Sequence, residues 1–293
     1  MEQKKQLKLA LPKGSLEEAT IKLFEKAGYN IKLAERSYYP KIDDPEIDCV
    51  LVRGQEIPRY VAEGIIDCGF SGEDWVLESK AEVVEVANLD YTKNKIGKAK
   101  WVLAVSENSN IKSVKDLQGK IVSTELVEIS KDYFRKHKVM ADIRFSWGAT
   151  EMKPPRFADA IIEIIDTGTT LKTHNLKIID VIMESATKFI ANKKSWKDNW
   201  KKEKIKNLAM LLTGALAAED RVGVMMHVSA KNLKKAIKLL PAMKKPTITK
   251  IIGENYYDLL TVAGKREIRE LIPKLKKIGC TGIVEFPLNR IVK

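Results

Sequence analysis

The fold and the candidate site of this chain are both indicated by one stretch, Arg156-Phe157-Ala158-Asp159-Ala160-Ile161-Ile162-Glu163-Ile164-Ile165-Asp166-Thr167-Gly168-Thr169-Thr170-Leu171. An apolar, strand-like run turns sharply into small polar residues. Gly168 lets the backbone approach a ligand closely, and the surrounding hydroxyls and N–H groups can form a concavity that binds anions. A helix beginning near Leu171 would add partial positive charge toward a phosphate, and the preceding acids can accept hydrogen bonds from sugar hydroxyls. The stretch predicts a phosphorylated-ribose site, although a turn that only caps a helix would have the same local sequence.

Length and composition describe a globular protein with room for more than one domain. The chain has 293 residues, of which 44% are hydrophobic and 31% charged, enough for two or three domains. No apolar run reaches the roughly 18 residues of a membrane helix. The N-terminal residues 1–6 do not resemble a signal peptide. The three cysteines are too far apart for a metal motif or an obvious disulfide framework, so we expect a reducing, cytoplasmic location.

The formal net charge of +13 comes from 52 Lys and Arg against 39 Asp and Glu. The basic residues are spread as single lysines and pairs, with no arginine-rich block and no interleaved aromatic residues. Solvated surface lysine is the common cause of such a balance, and small polyanionic substrates are a second possibility. We therefore expect neither a nucleic-acid partner nor a membrane partner.

Two further segments carry glycine-rich turns. Residues 7–11 form a strand pattern that ends in Pro12-Lys13-Gly14 before a helix pattern, which is a second candidate phosphate site. Residues 64–74 place acids on both sides of a glycine-rich turn. This turn resembles the one at the cleft of two-lobed proteins related to type II periplasmic binding proteins.

The order of strand and helix patterns predicts two parallel α/β lobes and a separate C-terminal unit. A strand at residues 101–105 leads into the second lobe, and strands at 178–185 and 187–191 return the chain to the first. A helical segment at 192–219 follows, with Ser195 and Asp198 as its expected cap. Residues 222–286 then alternate as βαββαβ, the ferredoxin-like motif.

Four separated blocks resemble the ATP phosphoribosyltransferase family in its long form. They are Pro12-Lys13-Gly14; Ile66-Asp67-Cys68-Gly69-Phe70-Ser71-Gly72-Glu73-Asp74; Asp159-Ala160-Ile161 with Thr167-Gly168-Thr169-Thr170-Leu171, preceded by Gly148 and Glu151; and Met225-Met226-His227 with Lys245-Pro246-Thr247-Ile248. The likeness covers essentially the whole chain. It implies a two-lobed, type II periplasmic-binding-protein-like catalytic core followed by a ferredoxin-like regulatory domain.

The resemblance also implies the activity. Members of the family transfer the phosphoribosyl group of phosphoribosyl pyrophosphate (PRPP) to N1 of ATP, giving phosphoribosyl-ATP and pyrophosphate in the first step of histidine biosynthesis. Mg²⁺ accompanies the PRPP, histidine inhibits, and the chains assemble into dimers and hexamers. The implied domains are residues 1–97 with 183–217, residues 98–182 with the PRPP motif, and residues 218–293 for histidine binding.

Site residues follow from the matching positions. The residues implied for PRPP are Glu163, Asp166, Thr167, Gly168, Thr169, Thr170 and Leu171; those for ATP are Lys13, Gly14, Asp67 and Gly69; the catalytic positions are Lys13, Asp67 and Glu151; those for histidine are His227, Met243, Lys245 and Thr247. No residue is expected to bind a metal without PRPP. The chain departs from the family pattern at Ser15, at Glu163, where aspartate is usual, and between Met152 and Phe157.

The inventory suits a displacement between two polyanions, since it offers a phosphate cradle, a lysine beside a turn and acids for a ribose, with no arrangement typical of a nucleophilic triad. The alternative is a non-catalytic two-lobed binding protein or sensor. Such a protein would share the turn at residues 64–74 but has no reason to carry Asp166-Thr167-Gly168-Thr169-Thr170.

Overall fold

The first lobe is built on a five-stranded sheet. The computed structural model describes residues 5–34, 37–91, 98–165, 169–240 and 246–292. The elements up to the first crossing are β1 (Leu7–Lys13), α1 (Glu17–Lys26), β2 (Ile31–Lys32), β3 (Lys41–Ile42), β4 (Ile47–Arg53), α2 (Ile57–Glu63), β5 (Cys68–Gly72), α3 (Glu73–Glu78) and β6 (Val84–Leu89). The short strands β2 and β3 pair only with each other.

The second lobe contains another five-stranded sheet, after which the chain returns to the first. Its elements are β7 (Ala99–Ser106), β8 (Ile121–Thr124), α4 (Val127–Lys136), β9 (Asp142–Phe145), β10 (Ala160–Ile165), α5 (Thr169–Thr173) and β11 (Leu176–Ser185). The returning strand is β12 (Thr187–Ala191), which pairs antiparallel with β5 and β6 of the first sheet.

The two sheets have equivalent strand orders. The first is β4-β1-β5-β12-β6 and the second, in the matching direction, is β9-β8-β10-β7-β11. In each sheet the spatial order is the lobe's second strand, its first, its third, the crossing strand and its fourth. The crossing strand, which connects the lobes, is β12 in the first sheet and β7 in the second, and it runs antiparallel to the third strand. This arrangement confirms the predicted two-lobed α/β core.

Aromatic residues form the centre of the first lobe. Phe70 on β5 stacks on Phe189 of β12 at 4.6 Å between ring centroids, and Phe24 of α1 meets Phe70 edge-on. In the second lobe, Trp101 on β7 is almost wholly buried. Its Nε1 donates a 2.6 Å hydrogen bond to Asp74 at the start of α3, so the crossing strand is tied to the first lobe.

The C-terminal unit has the predicted ferredoxin-like order. α6 (Asn199–Ala218) contains the boundary between the two units of the chain, Met1–Ala209 and Met210–Lys293. The elements that follow are β13 (Arg221–Ser229), α7 (Leu233–Leu239), β14 (Thr247–Lys250), β15 (Tyr256–Gly264), α8 (Lys265–Lys277) and β16 (Thr281–Pro287). The sheet order β14-β15-β13-β16 is antiparallel throughout. Alternate residues of β13, from Val222 to Val228, are buried in a core with α7 and α8.

Two local predictions need correction. Asp198, not Ser195, caps α6, since its Oδ1 accepts a hydrogen bond from the Lys201 N–H at 2.9 Å. Ser195 instead donates to Asp67 at 2.5 Å. Strand β6 was not predicted; it is only six residues long, and Ala87 and Asn88 interrupt the alternation that Val84-Glu85-Val86 begins. No helix in the described part of the chain has the length and hydropathy needed to cross a membrane.

Candidate active site

Two cations stand side by side where strands of the first lobe end. β1 and β4 are parallel neighbours, and their last residues, Lys13 and Arg53, are in register. Neighbouring strands lie about 4.8 Å apart, so the two side chains leave adjacent positions of one edge. Within the described ranges, no carboxylate lies within ion-pairing distance of either cation. The Lys13 ammonium lies 4.2 Å from the ring centroid of Tyr38. This edge therefore offers positive charge to an anion.

Gly14 follows Lys13 in a conformation that favours glycine. Its φ is +110°, and a Cβ built there would lie 3.5 Å from a guanidinium nitrogen of Arg53. The Gly14 N–H already donates to the Glu17 carboxylate at 3.3 Å. Gly14 therefore keeps space open beside the two cations, while its own N–H has a protein acceptor.

The predicted phosphate cradle follows the end of β10. Asp166, Thr167 and Gly168 lie outside the described residues, as does the side chain of Thr169. Thr170 is exposed on α5. Leu171 is 2% exposed and packs in the second lobe's core. The prediction that Leu171 binds PRPP is therefore corrected: its side chain is buried in the core, where it anchors α5 to the sheet.

Three acids gather at the same edge of the second sheet. Burial is the main cause that raises the pKa of Glu163 on β10 to about 7, and the negative charges of Glu125 and Glu151 raise it further. Hydrogen bonds from the Ile164 N–H and the Thr150 hydroxyl act in the opposite direction. The structure thus brings two predicted residues together, Glu151 and Glu163.

The loop that carries Glu151 is fixed from inside. Ser146 and Thr150 are buried, and their hydroxyl oxygens lie 2.7 Å apart. The Lys153 ammonium donates to the Ser146 hydroxyl at 2.6 Å. Between these anchors Gly148 and Ala149 have φ values of +135° and +48°. The loop therefore holds a strained turn through buried polar contacts.

The two edges face each other across a cleft. The Gln55 side chain, just after β4, hydrogen-bonds the Glu125 carboxylate, which follows β8. Farther along, the Glu78 carboxylate accepts from the backbone N–H groups of Glu128 and Ile129 at 2.9 and 3.0 Å. Contacts between the lobes thus join the carboxyl ends of their strands, where open α/β sheets bind ligands.

Asp67 lies at the opposite end of the first sheet. It precedes β5, is 4% exposed, and accepts hydrogen bonds from Lys8 N–H at 2.9 Å and Ser195 Oγ at 2.5 Å. Lys201 forms a 2.7 Å ion pair with it. Lys13 lies five residues after Lys8 on β1, which corresponds to about 16 Å at the rise of an extended strand. We therefore correct the placement of Asp67 in the cleft, because its oxygens are used in the framework.

Gly69 is also a framework residue. It is buried within β5, and a Cβ there would come within 2.8 Å of an Ile57 methyl and 2.9 Å of the Ala10 Cβ. Packing between α2 and the sheet explains this glycine. The predicted contact of Gly69 with ATP is corrected accordingly.

Sequence reasoning missed Arg53, Gln55 and Glu125. A usable signal was present for Arg53, since Arg53-Gly54 after β4 repeats the pattern of Lys13-Gly14 after β1. Glu125 directly follows β8, and Gln55 is the second residue after the end of β4. Such positions meet only when the strand order is known.

The predicted histidine-site residues are partly described. His227 on β13 lies opposite Asp258 on β15, with 3.9 Å between His227 Nε2 and Asp258 Oδ1. Thr247 begins the edge strand β14 and is exposed. By alternation both lie on the sheet face away from α7 and α8. Met243 and Lys245 lie outside the described residues. Asp258 Oδ1 is shielded from solvent and accepts no hydrogen bond within the described part of the chain.

The carboxylates near Glu163 are candidate ligands for a metal ion. Among the described residues, no three His, Cys, Asp or Glu side chains are placed to hold one together. Mg²⁺ prefers oxygen ligands and is commonly bound by one or two carboxylates together with substrate phosphates. Glu125 and Glu151, which lie near Glu163, are two carboxylates that fit this shared mode of binding.

Family models and curated relatives that match this chain carry the name of one enzyme. The family model described as "ATP phosphoribosyltransferase" matches residues 53–214, and "HisG, C-terminal domain" matches residues 218–290. The ATP phosphoribosyltransferase of Thermodesulfovibrio yellowstonii is 51% identical over 98% of this chain and 99% of its own, and that of Solibacter usitatus is 51% identical over the same shares. A chain of the ATP phosphoribosyl transferase (HisG:HisZ) complex from Thermotoga maritima matches with a TM-score of 0.60 and 27% identity, over 71% of this chain and 99% of that one.

Proposed function

The chain belongs to the ATP phosphoribosyltransferase family, and from this premise we propose how each edge of the cleft serves the reaction. The match to the family's C-terminal domain makes it a long-form member. It transfers the phosphoribosyl group of PRPP to N1 of ATP and releases pyrophosphate, in the first step of histidine biosynthesis. The alternative of a non-catalytic binding protein is set aside, because relatives named for the enzyme match nearly the full length.

The second lobe binds PRPP in this proposal. The segment after β10, Asp166-Thr167-Gly168-Thr169-Thr170, holds the 5′-phosphate through hydroxyl and backbone donors. Glu163 accepts hydrogen bonds from the ribose hydroxyls. Its position on β10, before the cradle and beside Glu151, supports this assignment. Glu151 faces the ribose, where its charge stabilises the positive charge that develops there.

The first lobe binds the pyrophosphate of PRPP and the phosphates of ATP. Lys13 and Arg53 are adjacent in register and have no carboxylate partner among the described residues. Cations placed at a leaving group stabilise the charge that it gains in the transition state. We therefore add Arg53 to the proposed site and remove Asp67 and Gly69 from it.

The chemistry needs placement more than covalent participation by the protein. The N1 lone pair of adenine forms a bond to ribose C1 while the C1–oxygen bond to pyrophosphate breaks, and its electron pair leaves with the pyrophosphate. Holding both reactants in line supplies much of the rate enhancement. Closure between the lobes excludes water, which would otherwise hydrolyse PRPP.

Mg²⁺ enters with PRPP in this proposal. When bound, it neutralises charge on the pyrophosphate oxygens. Glu125 and Glu151 are the carboxylates that could complete its coordination, directly or through water. Their proximity to Glu163 supports the assignment.

Histidine inhibits from the C-terminal unit. The open face of its sheet offers Thr247 and His227, which lies opposite Asp258 on the neighbouring strand. Met243 and Lys245 belong to the same proposed site. We further propose a cytoplasmic homo-oligomer, a dimer or hexamer, with no nucleic-acid or membrane partner.

One observation carries the assignment of the lobes: β1 and β4 end in cations that have no carboxylate partner among the described residues, while Glu125 follows β8 and lies near Glu163 on β10. Calorimetric titration with PRPP and Mg²⁺, then with ATP, tests it. Gly168→Ala should weaken PRPP binding about 10-fold or more and leave ATP binding within twofold, because the added Cβ would hold the phosphate away from its donors, and each charge-assisted hydrogen bond lost in this way costs about 1.5–3 kcal/mol. Equal losses for both substrates would contradict the assignment.

A further inference from the structure

Trp147 is almost fully exposed on a loop that is otherwise firmly anchored. Its exposed fraction is 92%, whereas its neighbour Ser146 is fully buried. Ser146 continues the β8–β9 ladder through a 2.9 Å hydrogen bond from its N–H to the Thr124 carbonyl. Exposing an indole on a mobile tail needs no explanation. Here the indole lies against the half-exposed ring of Phe145, and the two rings together form an exposed aromatic patch beside a buried, hydrogen-bonded anchor, which is typical of a binding surface.

The aromatic side chain is presented edge to face with a second ring. Phe145, the last residue of β9, lies 4.8 Å from Trp147 between ring centroids at an interplanar angle of 84°. Phe145 is itself half exposed. The Phe145 ring supports the indole from one side and limits its rotation, so that a flat face remains available for stacking.

The position of the loop connects Trp147 to the reacting atoms. Thr150, three residues on, shares a hydrogen bond with Ser146 and another with Glu163. Glu163 is the proposed partner of the ribose hydroxyls. The adenine ring must bring N1 to about 3–3.5 Å from ribose C1 before it can attack. The purine must therefore lie in the immediate neighbourhood of this loop.

We propose that Trp147 stacks on the adenine ring of ATP and orients N1 toward ribose C1. A flat purine matches an exposed indole face, and aromatic side chains commonly bind bases in this way. The Ser146–Thr150–Lys153 contacts hold the loop so that stacking requires little ordering when ATP binds. The inference rests on the proposed place of the ribose at Glu163.

The test uses the full chain with Trp147→Ala, Trp147→Phe and a matched control, Met140→Ala. Met140 is 78% exposed and lies before the other end of β9. We expect Trp147→Ala to raise the KM or dissociation constant for ATP about 10- to 100-fold, the range of a lost base–aromatic stack. Trp147→Phe should recover most of this loss, and Met140→Ala should match the parent.

Ligands with and without a base distinguish a loss of stacking from damage to the loop. The oligomeric state distinguishes both from the loss of a subunit contact. Tripolyphosphate, which lacks a base, should bind Trp147→Ala as it binds the parent, and the KM for PRPP should stay within twofold. Equal weakening of tripolyphosphate and ATP, or an unchanged ATP constant, would overturn the proposal. Loss of the oligomer in Trp147→Ala, with normal ATP binding by the remaining species, would assign Trp147 to a subunit contact instead.

Failure of the ribose placement would be seen separately. In that case Glu163→Gln would bind PRPP as tightly as the parent. Failure of the stacking would be seen only in the ATP constant of Trp147→Ala.

Discussion

The two lobes of the first unit have equivalent sheets that are charged oppositely where they face each other. β1 and β4 end in Lys13 and Arg53, whereas acids gather after β8 and around β10. At the far edges the lobes are alike: Asp67 precedes β5 and binds the Lys8 N–H, and Asp159 precedes β10 and binds the Ile121 N–H, both at 2.9 Å. In both lobes, the edge with this aspartate is therefore part of the framework, whereas the opposite edge carries the charges proposed to bind substrate.

The equivalent aspartates differ in what else they bind, and this gives the largest expected effect. Asp67→Ala should lower the free energy of unfolding of the full chain by about 3–5 kcal/mol, because it leaves Lys201 and Ser195 without their partner in a buried site. Asp159→Ala should cost about 1–2 kcal/mol, since its side chain is 34% exposed and lies 3.6 Å from Lys120. Urea unfolding measures both. Equal losses would show that the extra partners of Asp67 add nothing.

The opposite charge of the cleft edges predicts the next effect. Arg53→Ala and Lys13→Ala should each lower kcat/KM about 10- to 100-fold, or roughly 1.5–3 kcal/mol, while the unfolding midpoint stays constant. Lys193→Ala is the control, because that exposed lysine pairs with Glu82 outside the cleft. Steady-state kinetics with both substrates provides the measurement. A similar loss in the control would reduce the effect to general surface charge.

The buried acid of the second lobe predicts a pH effect of about 1–2 kcal/mol. Burial raises the pKa of Glu163 to about 7 from its usual 4.5, so the folded state binds its proton more tightly than the unfolded chain does. The parent therefore loses stability as pH rises from about 4.5 through about 7. Glu163→Gln has no such titration. Its unfolding free energy relative to the parent should rise between pH 5 and pH 8.

Two measurements check the Glu163 prediction. Urea unfolding at several pH values gives the unfolding free energy of each protein. The difference between Glu163→Gln and the parent should grow with pH, whereas the difference between Glu107→Gln, an exposed control, and the parent should stay constant. The kcat/KM for PRPP should rise with pH through about 7 in the parent and in Glu107→Gln but not in Glu163→Gln, because an ionised carboxylate is the better acceptor for hydroxyl groups. Parallel curves for all three proteins would contradict the assigned burial.

The smallest effect is expected where exposed charges join the lobes. Lys80 and Glu128 form a 2.7 Å ion pair with side chains that are 64% and 36% exposed. Lys80→Ala should leave the urea unfolding midpoint almost unchanged, and added salt should reduce even this small difference. Unfolding at two ionic strengths tests it. A larger, salt-independent loss would show that the pair is part of the framework.

Much of the organisation could be predicted from sequence because its signals are local. Strand patterns ending in Lys-Gly, the run before Thr167-Gly168-Thr169, and the βαββαβ order all follow from residues close in the chain. These signals were enough for the fold class, and the resemblance of the same segments to a known family implied the activity. The domain boundaries at 97/98, 182/183 and 217/218 remain proposals. In the structure, the strands of the first lobe, the second lobe and the C-terminal unit fall at residues 7–89 with 187–191, 99–185 and 221–287, respectively.

The roles of individual site residues depended on tertiary structure. Asp67 stands next to a glycine-rich turn in sequence, yet it lies at the opposite end of the sheet from Lys13, because one strand length separates the two edges. Gly69 has the sequence of a ligand-binding glycine, but the approach of Ile57 explains it. Arg53 joins Lys13 only through the parallel pairing of β1 with β4.

The sequence by itself determined which segments are strands, which turns carry phosphate-binding chemistry and which family the chain resembles. Tertiary structure alone decided which strands are neighbours and which of their residues are in register. It therefore decided which charged side chains share the cleft. It also gave Glu163 its raised pKa, since burial depends on the segments that surround a side chain. The physical reason is common to all these cases: local pattern follows from covalent neighbours, whereas proximity across a sheet follows from strand order and register.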